Sequence, residues 1–190
     1  MSYHFYAMLS RMKNIYRWGL MRNTKSENLS EHSLEVAFIA HALGIISNKK
    51  FGSNINADRL AVKAMFHDTS EIITGDMPTP IKYATPQIQN AYRVVERVAE
   101  QKLLSMLPPE LRAEFDEVIT IPDPEIRALV KAADKLSAYL KCVEELNAGN
   151  TEFKKAKEQT YAALCMNPIP ALTWFMEHFL DGFELTLDEL

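Results

Sequence analysis

A chain of 190 residues, 47% hydrophobic and 24% charged, is long enough for one compact domain with a sizeable core and too apolar to stay disordered. Its formal net charge of -4 weighs against a long nucleic-acid polymer as partner. No apolar run approaches a membrane span, the N-terminus MSYHFYAMLSRMKNIYRW lacks a signal-peptide pattern, and Cys142 and Cys165 form no CxxC, so a reducing cytoplasm is the expected compartment.

Residues 3 to 14 read as a short amphipathic helix, with Tyr3, Tyr6, Ala7 and Ser10 on one side and Phe5, Met8, Leu9 and Met12 on the other. Asn14 to Asn28 is less regular. Arg11, Lys13, Arg17, Arg22 and Lys25 make a basic stretch with no acidic residue between Arg11 and Lys25, which is either a solvated face or a phosphate-binding edge. Ser30 reads as an N-cap for EHSLEVAFIAHALGIISNKK, apolar nearly all round as a buried central helix is, with His32 in its first turn.

FGSNIN breaks the pattern, and Asn56 can cap a helix that carries AVKAMFHDTSEIIT. Spacings of three and four would put Glu71 beside both His67 and Asp68 on one helix face. GDMPTP, with two prolines, cannot stay regular helix. Thr85 and Pro86 restart one, its apolar side drawn partly from Val94, Val98 and Leu103, until Pro108 and Pro109 end it. A shorter segment follows to about residue 119. Asp123 and Pro124 open a helix that stops near Gly149, Asn150 caps another, and the last begins near Asn167 and Pro168 and holds Trp174, Phe175 and Phe179, read as core. No stretch alternates with period two. The reading is all-α, one domain over residues 1–190 with about seven or eight helices.

The chemistry concentrates in His32, His67, Asp68 and Asp134, with Glu71 beside them. Asp134 stands among Leu129, Val130, Ala133, Leu136 and Leu140, where a carboxylate must find a cation, hydrogen-bond donors or a metal. His41 follows His32 by nine residues, about 900° of helical rotation, so the two point to opposite sides. His4 and His178 have no carboxylate at helical spacing. Two imidazoles and two carboxylates suit Mn²⁺, Co²⁺, Fe²⁺ or Zn²⁺, with positions open to water and a substrate oxygen. Glu71 is placed to receive the water's proton or to orient it.

The order His32, His67-Asp68, Asp134 resembles the HD-domain metal-dependent phosphohydrolases. RWGLMRN, ENLSEHSLEVA, FHDTSEIITGDMPTPIKY and AYLKCVEELNAGN resemble, more closely, the bacterial 5'-deoxynucleotidase (YfbR-like) family, over most of the chain to about residue 155. The resemblance implies an HD-domain helical bundle that hydrolyses 2'-deoxynucleoside 5'-monophosphates. His32, His67, Asp68 and Asp134 would hold one divalent ion, Co²⁺ or Mn²⁺ foremost, with Zn²⁺, Cu²⁺, Fe²⁺ or Mg²⁺ also compatible. Arg17 would hold the phosphate and share catalysis with Glu71. Trp18 would lie against the sugar, and Asp76, Met77, Pro78 and Thr79 would line the nucleoside pocket. His32, Asp68 and Asp134 would also touch substrate. A homodimer in the cytoplasm, without membrane or nucleic-acid partners, completes the expectation. The alternatives are an HD-domain nucleoside triphosphohydrolase or phosphodiesterase, and a non-catalytic nucleotide-sensing module.

Overall fold

The computed structural model describes residues 2–82 and 84–190. Met1, the first residue of the stretch read for a signal peptide, and Tyr83, the last of FHDTSEIITGDMPTPIKY, lie outside the described residues. Among those described there are ten α-helical segments and no strand. They are α1 (Phe5–Leu9), α2 (Leu29–Phe51), α3 (Ala57–Phe66), α4 (Glu71–Thr74), α5 (Thr79–Lys82), α6 (Pro86–Ser105), α7 (Arg112–Thr120), α8 (Pro124–Asn147), α9 (Lys154–Cys165) and α10 (Pro170–Phe179). Apart from the short α4 and α5, these are the helices read from periodicity and caps; the one read over residues 3 to 14 is α1 followed by a 3-10 turn over Ser10–Asn14.

The chain forms two compact units. The first takes the residues up to Met21, Ser26–Ser33 and Phe66–Pro122; the second takes Arg22–Lys25, Leu34–Met65 and Asp123–Leu190. In the first, Phe5, Leu103, Leu104, Leu107 and Ile119 form a core, with Met8, Phe66 and Phe115 packed against it. The Phe5 and Phe115 rings meet edge to face at 5.1 Å between centroids, a favoured aromatic geometry. In the second, Leu43, Leu60, Leu136, Leu140, Phe153, Leu164 and Leu172 are buried. There α2 and α3 approach closely at Gly44, where an added Cβ would come within 3.0 Å of Ala57 Cβ.

The caps follow local chemistry. Thr85 accepts from the Ile88 N–H, Asp123 from Glu125 and Ile126, and Asn56 from Arg59. The start of α2 differs from the expectation. Asn28, not Ser30, is the cap: its Oδ1 accepts from the Ser30 and Glu31 N–H groups at 3.0 and 3.1 Å, and Glu31 accepts from the Asn28 N–H at 3.3 Å. That reciprocal pair is a capping box with asparagine in the cap position. On α6, Leu103 is buried, but Val94 and Val98 are 64% and 60% exposed, and Tyr92, Ala99 and Leu104 supply the inner face instead. Phe175 is core, as read; Phe179 is 46% exposed, and Trp174 stacks on His178 at 3.9 Å.

Helix α2 also departs from the sequence expectation. Its 23 residues, with a mean hydropathy of 1.2 over the most apolar window, reach the length and composition of a membrane span. That window is 56% buried inside the protein, as in the core helix of a globular fold.

Candidate active site

The site in the first unit begins with a break in a helix. The sequence placed His67, Asp68 and Glu71 on one continuous helix, yet α3 ends at Phe66 and α4 begins at Glu71. His67 to Ser70 form a turn. Thr69 donates both its N–H and its hydroxyl to the Phe66 carbonyl, at 3.1 and 2.8 Å, and the Glu71 N–H bonds back to Asp68 at 3.0 Å. A threonine hydroxyl that bonds a nearby carbonyl competes with the regular helical ladder, and the tightened i→i−3 bonds end it here. Helix α4 then stops at Gly75, whose φ of 74° favours glycine.

His32, in the first turn of α2, meets this turn. Its Nε2 lies 3.5 Å from Asp68 Oδ2, and the Nε2 of His67 lies 3.0 Å from the same oxygen. The two histidines and Asp68 offer ligand atoms within 4.8 Å of one another. His32 is 1% exposed. Two imidazole nitrogens and a carboxylate oxygen converging in a largely buried place are a donor set that fits a borderline divalent cation. Burial opposes ionisation of Asp68, yet the charge of His67 and hydrogen bonds from His32 and His67 outweigh it and hold the carboxyl well below its ordinary range. Asp134 lies on α8 in the second unit, half-buried, with Val130 and Ser137 buried four residues before it and three after.

Glu71 is 4% exposed, and its Oε2 is buried without a hydrogen-bond partner. Burial first, then the negative charges of Asp68 and Asp76, push its pKa up to about 9, against the offsetting charges of Lys82 and Arg17. Lys82, on α5, stands 3.9 Å from Glu71 Oε1 and 2.9 Å from Glu96 Oε1, above the ring of Tyr92. A carboxyl so placed holds a proton readily and yields it when a positive charge arrives nearby.

The basic stretch divides between its two readings. Arg11, Lys13, Arg22 and Lys25 are exposed, whereas the Arg17 side chain is only 12% exposed. Its Nε donates to Glu27 Oε2 at 3.1 Å, and its Nη1 lies 3.5 Å from Asp68 Oδ2. Trp18 donates its indole N–H to Glu27 Oε2 at 2.9 Å. Its backbone sits at φ 60°, a left-handed conformation uncommon for a bulky residue. Several bonds over-determine it: the Trp18 N–H bonds to Asp76, the Trp18 carbonyl accepts from Met21, the Arg17 N–H bonds to Glu27, and Tyr16 pairs with Asn28 in an isolated bridge. Strain held this firmly clusters at functional sites. Burial raises the Asp76 pKa, with Arg17 and the Trp18 N–H working against it. Met77 and Pro78 are half-buried, while Thr79 is exposed and opens α5, so the irregular stretch is 75–78.

Glu27 is the residue that sequence reasoning missed. It touches Arg17 and Trp18 through one oxygen and faces His32 Nδ1 at 3.7 Å through the other. Its place in ENLSEHS was visible, but a glutamate in a polar loop is solvated by default, and only the fold brings three partners to it. His41, set aside on helical phase, pairs with Asp58 at 3.2 Å on the surface.

The fold is that of HD-domain phosphohydrolases. A Listeria innocua HD-domain phosphohydrolase superposes with a TM-score of 0.82 at 23% identity, over 95% of this chain and 88% of that one. A cyanophage S-2L HD phosphohydrolase, bound to dA and one catalytic Zn²⁺, does so with a TM-score of 0.65 at 24% identity, over 95% and 96%. Sequence likeness reaches further. A 5'-deoxynucleotidase of Yersinia pestis is 54% identical over 189 residues, 98% of this chain and 96% of its own, and one of Yersinia pseudotuberculosis matches equally. The family model described as "5'-deoxynucleotidase YfbR-like" matches residues 4–183, and the chain belongs to that family of metal-dependent phosphohydrolases.

Proposed function

We propose that this enzyme hydrolyses 2'-deoxynucleoside 5'-monophosphates to deoxynucleoside and phosphate, with a divalent cation held by His32, His67, Asp68 and Asp134. One observation carries the reading: a single carboxylate oxygen, Asp68 Oδ2, is faced by two imidazole nitrogens and by the guanidinium of Arg17. On this reading a cation-binding cluster and a phosphate-binding group stand side by side, as phosphomonoester hydrolysis requires. Asp134 joins the set through the motif order His, His-Asp, Asp and its half-buried place on an apolar helix.

Each residue has its task. Arg17, its Nε held by Glu27 and its Nη1 beside Asp68, turns its guanidinium to the phosphoryl oxygens, where a planar fork matches better than an ammonium. Glu71 takes the proton from the attacking water, while Lys82 and Arg17 favour its ionised form. Trp18 lies against the sugar, and Asp76, Met77, Pro78 and Thr79 wall the nucleoside. An added 2'-hydroxyl would clash or stay unpaired against Trp18, which is the basis for preferring deoxyribose. The cation, Co²⁺ or Mn²⁺ foremost, would offset the negative charge of the phosphoryl oxygens and supply a more acidic water when bound.

The reading includes a homodimer in the cytoplasm. Leu34, Phe38 and Ile45 share one exposed face of α2, and Val62 and Met65 one of α3, with the His41–Asp58 pair joining the two helices. This face is the surface a second copy would cover.

The test is phosphate and pyrophosphate release from deoxy- and ribonucleoside mono-, di- and triphosphates, with Mn²⁺, Co²⁺, Mg²⁺ and Zn²⁺ each supplied alone. Phosphate from deoxynucleoside monophosphates is expected. Pyrophosphate or triphosphate release would favour a triphosphohydrolase, and tight nucleotide binding without turnover a sensing module.

A further inference from the structure

Glu27 meets Arg17, Trp18 and His32, three groups with different tasks, and an exposed loop needs no such convergence. Its Oε2 accepts from Trp18 Nε1 at 2.9 Å and from Arg17 Nε at 3.1 Å, and its side chain is 12% exposed. The backbone at Trp18 fixes where the side chain leaves the chain, through the left-handed φ and the bond to Asp76. It leaves the side-chain torsions free, and an indole can turn either edge toward a neighbour. A hydrogen bond from Nε1 to a nearly buried carboxylate removes that freedom, because turning the ring would strand the indole donor and leave the carboxylate oxygen with Arg17 alone.

We propose that Glu27 is the positioning residue that fixes the Trp18 ring and thereby sets the preference for deoxyribose over ribose. The inference rests on the functional reading above, in which Trp18 faces the sugar. Glu27 does not touch the reacting atoms. It acts through Trp18, and through Arg17 it ties the sugar's position to the phosphate's, since one carboxylate oxygen holds both side chains. Discrimination against one hydroxyl demands this, because a ring free to tilt would open room for the 2' oxygen. The bland alternative is that Glu27 only stabilises the loop, in which case its loss would lower activity on both sugars equally.

The experiment compares kcat/KM for a deoxynucleoside monophosphate and its ribo counterpart in wild type, Glu27→Gln, Glu27→Leu and Trp18→Phe. All are made in a Trp174→Phe background, so that tryptophan emission reports Trp18 alone. Glu27→Gln keeps an oxygen acceptor for the indole and is expected to hold the deoxy-to-ribo ratio within about twofold while raising KM through the loss of charge beside Arg17. Glu27→Leu is expected to lower the ratio about tenfold and to shift Trp18 emission. Trp18→Phe removes the same bond from its other end and is expected to lower the ratio similarly, with no further loss when Glu27→Leu and Trp18→Phe are combined. Should Glu27→Leu fail to fold, Glu27→Met, closer to glutamate in length, takes its place. An unchanged ratio in Glu27→Leu overturns the proposal while leaving the phosphatase reading intact, and an unchanged ratio in Trp18→Phe overturns the assignment of Trp18 to the sugar as well. A wild type without sugar preference overturns the sugar reading itself and the proposal with it.

Discussion

Lys82 brings its ammonium to 3.9 Å from Oε1 of Glu71, a buried carboxyl whose pKa is displaced upward to about 9. The displacement has a consequence for stability. Between the ordinary value of 4.5 and about 9, folded Glu71 keeps a proton that the unfolded chain has released. Unfolding then sheds protons, so this group's contribution is fully present below pH 4.5 and is lost as pH rises toward 9. With chelator present, urea midpoints for wild type should fall across that window, and Glu71→Gln should flatten the decline. A Gln variant with the wild-type profile would show that Glu71 is not the group responsible.

The same substitution separates base from ligand. Glu71→Gln should reduce kcat by about 10²- to 10⁴-fold, the usual range for a general base, and leave Mn²⁺ affinity by calorimetry nearly unchanged. Asp68→Asn and Asp134→Asn should weaken Mn²⁺ binding and activity together. If Asp134→Asn bound Mn²⁺ as wild type does, the fourth ligand would have to be sought elsewhere.

How much of this was legible beforehand depends on the kind of signal. Thr85, Asp123 and Asn150 cap helices because their chemistry is local, and each was read from sequence. Asn28 and Ser30 are both good caps by residue type, and only the reciprocal bond with Glu31 decides between them. Val94 and Val98 are exposed against the sequence pattern, because a helix with apolar residues on more than one face does not say which face the fold will cover. The break at His67 to Ser70 was invisible to periodicity, since three- and four-residue spacings look alike in a helix and in a tightened turn. His32, His67 and Asp68 were recognisable because a cluster of costly polar groups in apolar surroundings asks for a partner. Glu27 carried no such mark.

Lys141 and Glu145, one helical turn apart on α8, were also singled out only within a motif, AYLKCVEELNAGN. They are 4% and 1% exposed and bond at 2.5 Å. Glu145 further accepts from the Thr24 N–H at 2.8 Å, the Thr24 hydroxyl at 2.7 Å and Asn150 at 2.8 Å, while Lys141 reaches the Lys25 carbonyl at 2.6 Å. The pair thus pins Thr24 and Lys25, a few residues beyond Arg17 and Trp18 in the chain. Lys141→Met strands a buried carboxylate and should cost about 3–5 kcal/mol in urea unfolding, whereas adding Glu145→Leu should recover part of it. Hydrogen exchange at Thr24 and Lys25 should accelerate in the single variant. Unaltered exchange would mean that the loop is held by other contacts.

The exposed face of α2 and α3 offers the test of assembly. Phe38 is 67% exposed, Leu34 48% and Ile45 42%, and Val62 and Met65 continue the apolar surface on α3. Contiguous exposed apolar side chains of this size mark interaction surfaces more often than they are left to water. Light scattering on the wild type should give twice the 21.7 kDa of one chain. Phe38→Glu changes an exposed position, where a substitution usually alters fold stability by no more than about 0.5 kcal/mol. It should therefore give a folded monomer, because a carboxylate buried in a dimer would lack a partner. A dimer that survives both Phe38→Glu and Val62→Glu would place the interface on another surface, and the exposed valines of α6 would be the next to substitute.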